Sequence, residues 1–145
     1  MSDSFTGNPI FRAIAKMFTW LYRLSRGRIG GQMVGLNVLL LTSIGRKSGK
    51  SRTMPLGFFE HEGSYVVTAS NAGSDRHPDW FHNLKEHPNA EVQVGGTVVS
   101  AIARIADPDL RKKLWAKLIE ISSHYAAYQK KTKRVIPMVL LEPER

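Results

Sequence analysis

The stretch AEVQVGGTVVSAIARIA, residues 90–106, sets two runs of branched residues on either side of Gly95-Gly96. A two-residue glycine link suits a hairpin, because parallel neighbours need a crossover of a dozen or more residues. The same brevity recurs along the chain. MVGLNVLLLTS (33–43), TMPLGFFEHEG (53–63), SYVVTAS (64–70) and VIPMVLLEP (135–143) also read as strands. Regular crossover helices do not separate them, so a doubly wound parallel sheet does not fit. The expectation is an α+β, mainly β fold: a small β-barrel of about six mostly antiparallel strands with flanking helices.

Three helical patterns surround these strands. From Pro9 to Arg26 the residues Arg12, Lys16, Thr19, Arg23 and Arg26 form one narrow basic stripe on an otherwise apolar segment. Such a helix either packs on the protein or lies in a membrane interface with its cations on headgroups, and the residues leave both open. GRIGG (27–31) offers glycines for its C-cap. HPDWFHNLKEH (77–87) reads as a short helix with Pro78 in its first turn. Asp107 reads as the N-cap of a last helix, whose apolar stripe is Leu114, Leu118, Ile121, Tyr125 and Tyr128. Residues 1–8 are polar. The length of 145 residues suits one domain, divided into a basic amphipathic arm with its linker (1–32) and the barrel (33–145).

The 21 Lys and Arg against 12 Asp and Glu leave a net charge of +9, which attracts anions: nucleic acid, an acidic membrane face or a phosphorylated small molecule. The absence of cysteine excludes disulfides, thiolate catalysis and iron–sulfur ligation, and fits a reducing, cytoplasmic setting. The apolar run 34–41 is too short to span a bilayer, and Arg12, Lys16 and Arg23 interrupt any secretory h-region.

SIGRKSGKSRTMP, residues 43–55, resembles a phosphate loop at first sight. A Walker A signature needs four residues between its glycines and a helix after its Ser or Thr. Gly45 and Gly49 enclose three, and SRTMPLGFF reads as a strand, so the loop is not a nucleoside-triphosphate site. What remains is a turn gathering Arg46, Lys47, Lys50 and Arg52, with Ser48 and Gly49 allowing close approach of backbone. Taken alone, this is either an anion grip or a solvated hairpin tip. A second segment, TASNAGSDRHPDW, sets Ser70, Asn71, Ala72, Gly73 and Ser74 where small residues present N–H groups and hydroxyls to an oxygen-rich ligand, with Trp80 placed to cover a flat ring. His77, His82 and His87 recur at a spacing that shares no helical face, so no metal site is expected. There is no Gly-x-Ser-x-Gly elbow.

The segments LLLTSIGRKSGKSRTMPL, ASNAGSDRHPDWFHNLKEHPNAEVQV and YAAYQKKTKRVIPMVLLEP together resemble the deazaflavin-dependent nitroreductase family, split β-barrel proteins that use coenzyme F420. The resemblance runs from about residue 33 to 143 in consistent order. It implies an F420H2-dependent reductase passing hydride to a quinone, a nitro compound or another electron-poor unsaturated molecule. It implies that Arg46, Lys47, Ser48 and Arg52 meet the phosphate and acidic tail of the cofactor, with Lys50 as a helper. Pro55 and Leu56 would line the deazaflavin's path, and Ala69, Ser70 and Asn71 would lie beside the ring and its ribityl chain. Pro78, Asp79, Trp80 and Asn83 would close the phosphate end. Tyr125 and Tyr128 would wall the acceptor pocket, and these two with Ser70 are the candidates to donate or orient a proton; as a plain aromatic stripe they would instead be core. Asn71 stands where the family often has Lys, and Ser122 where a further Tyr can occur, which implies a weaker grip on the tail and a wider pocket. Related split barrels use FMN, the alternative cofactor. The N-terminal helix would suit a lipophilic acceptor drawn from the inner face of the cell membrane, and a homodimer fits the same picture. The rivals are a non-catalytic F420 carrier and a nucleic-acid-binding barrel. The latter has no RNP-like motif to support it, so no nucleic-acid partner is expected.

Overall fold

The computed structural model describes residues 9–33 and 35–144. The polar segment 1–8 and Val34 lie outside the described residues. The elements run α1 (Pro9–Ser25), β1 (Gln32–Met33), β2 (Leu36–Ile44), β3 (Ser51–His61), β4 (Ser64–Thr68), α2 (Asp79–Glu86), β5 (Asn89–Val94), β6 (Thr97–Ile105), α3 (Pro108–Ile121), α4 (His124–Lys130) and β7 (Met138–Pro143).

Six strands close a barrel in the order β2-β3-β4-β7-β6-β5, and β5 returns to pair with β2. Every pairing is antiparallel. The Gly95-Gly96 link is the hairpin turn expected of it, with Val94 opposite Thr97 and Gly95 at φ +60°. β2 is the hub. It pairs with β3 from Asn37 to Ile44 on one edge and with β5 at Leu40–Thr42 on the other.

Period-two alternation sorts the side chains into two cores. Leu39, Leu41, Phe58, Val67, Val92, Ala101, Val139 and Leu141 turn inward, and α2 plugs this inner cluster with Trp80, Phe81 and Leu84. Leu36, Phe59, Val66, Met138 and Leu140 turn outward and are covered by Leu114 and Leu118 of α3 and Tyr125 of α4. Each such side chain contributes about 1.5–3 kcal/mol when fully buried.

α1 covers a third face. Phe18 and Tyr22 pack on the outward Val38 and Leu40 of β2. Tyr22 is the anchor: its hydroxyl donates to the Val38 carbonyl at 2.8 Å and accepts from the Gly95 N–H at 2.8 Å. The helix therefore packs on the barrel along one side, while Ile10, Ile14, Met17 and Leu24 are exposed on the other. Of the two placements suggested by its sequence, packing on the protein is the one the fold displays. Its C-cap is offset from the glycines by one position. Arg26 takes the left-handed place at φ 55°, and Gly27 donates back to the Tyr22 carbonyl at 2.8 Å.

Two local expectations shift. The strand read over 33–43 is divided at Gly35, whose φ of +82° turns the short β1 back on β2. The helix read from Asp107 is capped as expected, with the Asp107 carboxylate accepting from the Leu110 N–H at 2.8 Å, but ends at Ile121. Ser122 and Ser123 break it, in keeping with the weak helix preference of serine. The break takes Ile121 out of the apolar stripe, leaving it 40% exposed while Tyr125 is buried. Pro55 sits within β3, where the missing N–H is tolerated because β4 pairs only with Phe58–His61.

Candidate functional site

The β2–β3 turn carries the cations. Gly45 donates to the Lys50 carbonyl and Gly49 to the Gly45 carbonyl, both at 2.8 Å, and Gly49 sits at φ +70°. A side chain at Gly45 would come within 2.7 Å of the Ser48 hydroxyl, which would have to swing aside. Arg46 leaves this turn toward α2. Its backbone N–H and its Nη1 both donate to Asn83 Oδ1, at 3.1 and 3.0 Å, and its Nη2 lies 3.6 Å from the Asp79 carboxylate. α2 thus holds one guanidinium in place, while Lys47 and Arg52 remain exposed to a ligand.

These groups border a cavity of about 610 Å³. Arg46, Lys47, Ser48, Arg52, Asp79, Trp80 and Asn83 all line it. Trp80 does so with little of its surface, being 5% exposed and mostly committed to the inner core. Lys50 is exposed and does not line the cavity. Two buried hydroxyls on the cavity wall, Thr19 Oγ1 and Ser43 Oγ, have no hydrogen-bond partner.

The remaining candidates form a second group. Thr53, Pro55 and Gly57 lie on one face of β3, the face on which Thr42 and Thr53 join hydroxyls at 2.8 Å. At its far end Gly57 faces α4. A Cβ there would sit 2.9 Å from Leu36 Cδ1 and 3.4 Å from the Tyr125 hydroxyl. Tyr125 is 7% exposed, and its ring meets that of Tyr128 edge-on at 5.4 Å. Burial, then the neighbouring Tyr128, pushes the Tyr125 phenol up to about 12. Leu56 has the opposite parity and packs toward the inner core.

The loop after β4 is closed on itself. Asn71 and Ala72 hold positive φ of 46° and 54°, the Gly73 N–H donates to the Ser70 carbonyl, and Asn71 Nδ2 donates to the Arg76 carbonyl. Ala69 is fully buried, and Pro78 is buried at the mouth of α2. The residue that fixes this loop, Arg134, was not singled out from sequence. Its guanidinium donates to the carbonyls of Ser74, Ala69 and Ser70 at 2.8, 3.1 and 2.8 Å, and its Nη1 meets His77 Nδ1 at 3.0 Å. Burial lowers its pKa, opposed by Asp75. The only advance signal was its place in the KKTKRVIP run, where it looked like one more surface cation. Tyr22 and Ser43 were missed in the same way, each hidden within an apolar pattern.

Among the described residues no group of three or more His, Asp or Glu is arranged to hold a metal ion.

The sequence model of the F420H(2)-dependent quinone reductase family matches residues 14–143. An F420H(2)-dependent quinone reductase of Mycobacterium tuberculosis is 36% identical over 126 residues, covering 83% of this chain and 84% of that protein. A solved F420-H2 dependent reductase superposes with a TM-score of 0.67 at 39% identity, over 72% of this chain and 93% of its own. A further structure, solved as a domain-swapped dimer, gives a TM-score of 0.69 at 31% identity, over 93% and 100% of the two chains.

Proposed function

Because the chain belongs to the F420H(2)-dependent quinone reductase family, we propose that it reduces a quinone, a nitro compound or another electron-poor unsaturated molecule with coenzyme F420H2. When bound, the reduced deazaflavin supplies a hydride and a proton, so that a quinone leaves as hydroquinone and the cofactor leaves oxidised. The protein's task is to bind, orient and shield.

The observation that carries this reading is the outward face of β3. It leads from the cation-lined cavity at Thr53, past Pro55, to Gly57 beneath the Tyr125 hydroxyl. At about 3.3 Å per residue the path is about 13 Å long, suited to an elongated ligand with an anionic handle at one end and a flat ring at the other. Arg46, Lys47 and Arg52 would hold the handle, with Ser48 beside them, Asp79 and Asn83 steadying Arg46 and Trp80 closing the end. Pro55 would floor the ring, with the Ala69–Asn71 loop, shaped by Arg134, at its side and Leu56 and Pro78 backing strand and loop. Gly57 leaves room where a methyl group would touch Tyr125. Tyr125 stays protonated and donates a hydrogen bond toward the acceptor, with Tyr128 and Ser70 completing the wall.

The division into an arm (1–32) and a cofactor domain (33–145) belongs to the same reading. The exposed apolar side of α1 would rest in the interface of a membrane, within reach of lipophilic quinones. No helix among the described residues is long and apolar enough to cross one. A homodimer is proposed by analogy with the domain-swapped relative.

The test uses purified protein. F420 should quench on binding, FMN should compete poorly, and F420H2 should be consumed only when menadione is added. Tight F420 binding without turnover would favour a carrier instead.

A further inference from the structure

Most of the basic stripe of α1 borders the cavity, with its cations exposed. Arg12, Lys16 and Arg23 of α1 line the same cavity as Arg46, Lys47 and Arg52 of the β2–β3 turn. Among the described residues no carboxylate forms an ion pair with any of the three. Arg23 reaches Thr53 with a hydrogen bond of 3.3 Å. Among the described residues the one carboxylate on the cavity is Asp79, which already faces Arg46. Thr19, on the same stripe between Lys16 and Arg23, lines the cavity as well.

Six cations facing one carboxylate repel one another unless an anion lies between them, and a single phosphate does not match that excess. Eleven residues separate Arg12 from Arg23, which at 1.5 Å per residue makes a row about 16 Å long. An extended chain covers that length with about five units.

We propose that Arg12, Lys16 and Arg23 form the second wall of a polyanion groove, gripping the acidic tail of the cofactor beyond its first phosphate. The inference rests on the F420 reading above and assigns the cations of α1 to the cofactor rather than to lipid headgroups. Occupation of the groove then pins α1 to the barrel. A ligand with one phosphate, such as FMN, uses the β2–β3 turn alone, so α1 makes the site selective for a long tail.

The experiment compares dissociation constants, by fluorescence quenching, for F420 with its glutamate tail and for the same deazaflavin trimmed of its glutamates. The proteins are the parent, the triple variant Arg12→Gln/Lys16→Gln/Arg23→Gln and the charge-keeping Arg12→Lys/Lys16→Arg/Arg23→Lys. The triple variant should lose about tenfold for the long tail and under about twofold for the trimmed form, with a shallower salt dependence. The charge-keeping variant should stay within about twofold of the parent. Parent-like binding of the long tail by the triple variant, or equal loss of both forms, would overturn the proposal, as would loss by the charge-keeping variant. Failure of the parent to hold either form would sink the F420 reading and this inference with it.

Discussion

The backbone N–H and the guanidinium of Arg46 converge on one oxygen, Asn83 Oδ1, at 3.1 and 3.0 Å. This joins the β2–β3 turn to α2 and aims a cation along the cavity wall. Asn83→Ala removes the shared acceptor and leaves the amide and guanidinium to find others. F420 affinity should fall about tenfold with the fold retained, since each lost hydrogen bond to a charged group is worth about 1.5–3 kcal/mol. Asn83→Asp, which keeps the oxygen, should lose less. Equilibrium binding with thermal unfolding as control checks both.

Arg134→Gln strips partners from the carbonyls of Ala69, Ser70 and Ser74 at once. The variant should unfold about 2–4 kcal/mol more easily in urea. Amide exchange should quicken through residues 69–77 before it does so in β2.

Tyr22→Phe deletes a hydroxyl that accepts from Gly95 and donates to Val38, both at 2.8 Å. It should cost about 1–3 kcal/mol and loosen α1 specifically, read as faster proteolysis after Arg12, Lys16 or Arg23 with the barrel intact.

Stability should fall with acid. Burial, first, and then nearby cations hold His77 and His82 below the usual 6.5: Arg134, His82 and Lys85 act on His77, Arg46 and Lys85 on His82. In the window between those depressed values and 6.5 the unfolded chain binds more protons than the native one, so stability is full above 6.5 and is lost as pH falls through the window. Urea midpoints should drop between about pH 7.5 and about pH 5.5, and His77→Gln/His82→Gln should flatten the drop.

Tyr125, raised to about 12, should ionise above the ordinary tyrosine range. Ultraviolet titration of the parent and of Tyr125→Phe should coincide through the ordinary tyrosine range near about pH 10 and part only above it. A difference at ordinary tyrosine pH would remove Tyr125 from its buried place.

Much of this architecture is legible in residues whose effects are local. Gly95-Gly96 dictates a hairpin, Asp107 caps a helix, and branched strands of period two wrap a barrel around Leu39, Leu41 and Val139. The cationic turn was legible for the same reason, since Arg46, Lys47 and Arg52 are neighbours in sequence. What stayed hidden depends on distant partners. Arg134 acts on carbonyls 60 or more positions away, and Tyr22 on a turn 73 positions away, so neither leaves a local pattern. The stripe on α1 was visible as a stripe, but helical periodicity says which residues share a side and not what that side faces.

Charge reversal at the turn is the most direct test of the central claim. Arg46→Glu/Lys47→Glu/Arg52→Glu should keep the fold, having exposed or half-buried sites, and should abolish measurable F420 quenching at concentrations that saturate the parent. A folded triple variant that still bound F420 with the parent's affinity would contradict the account.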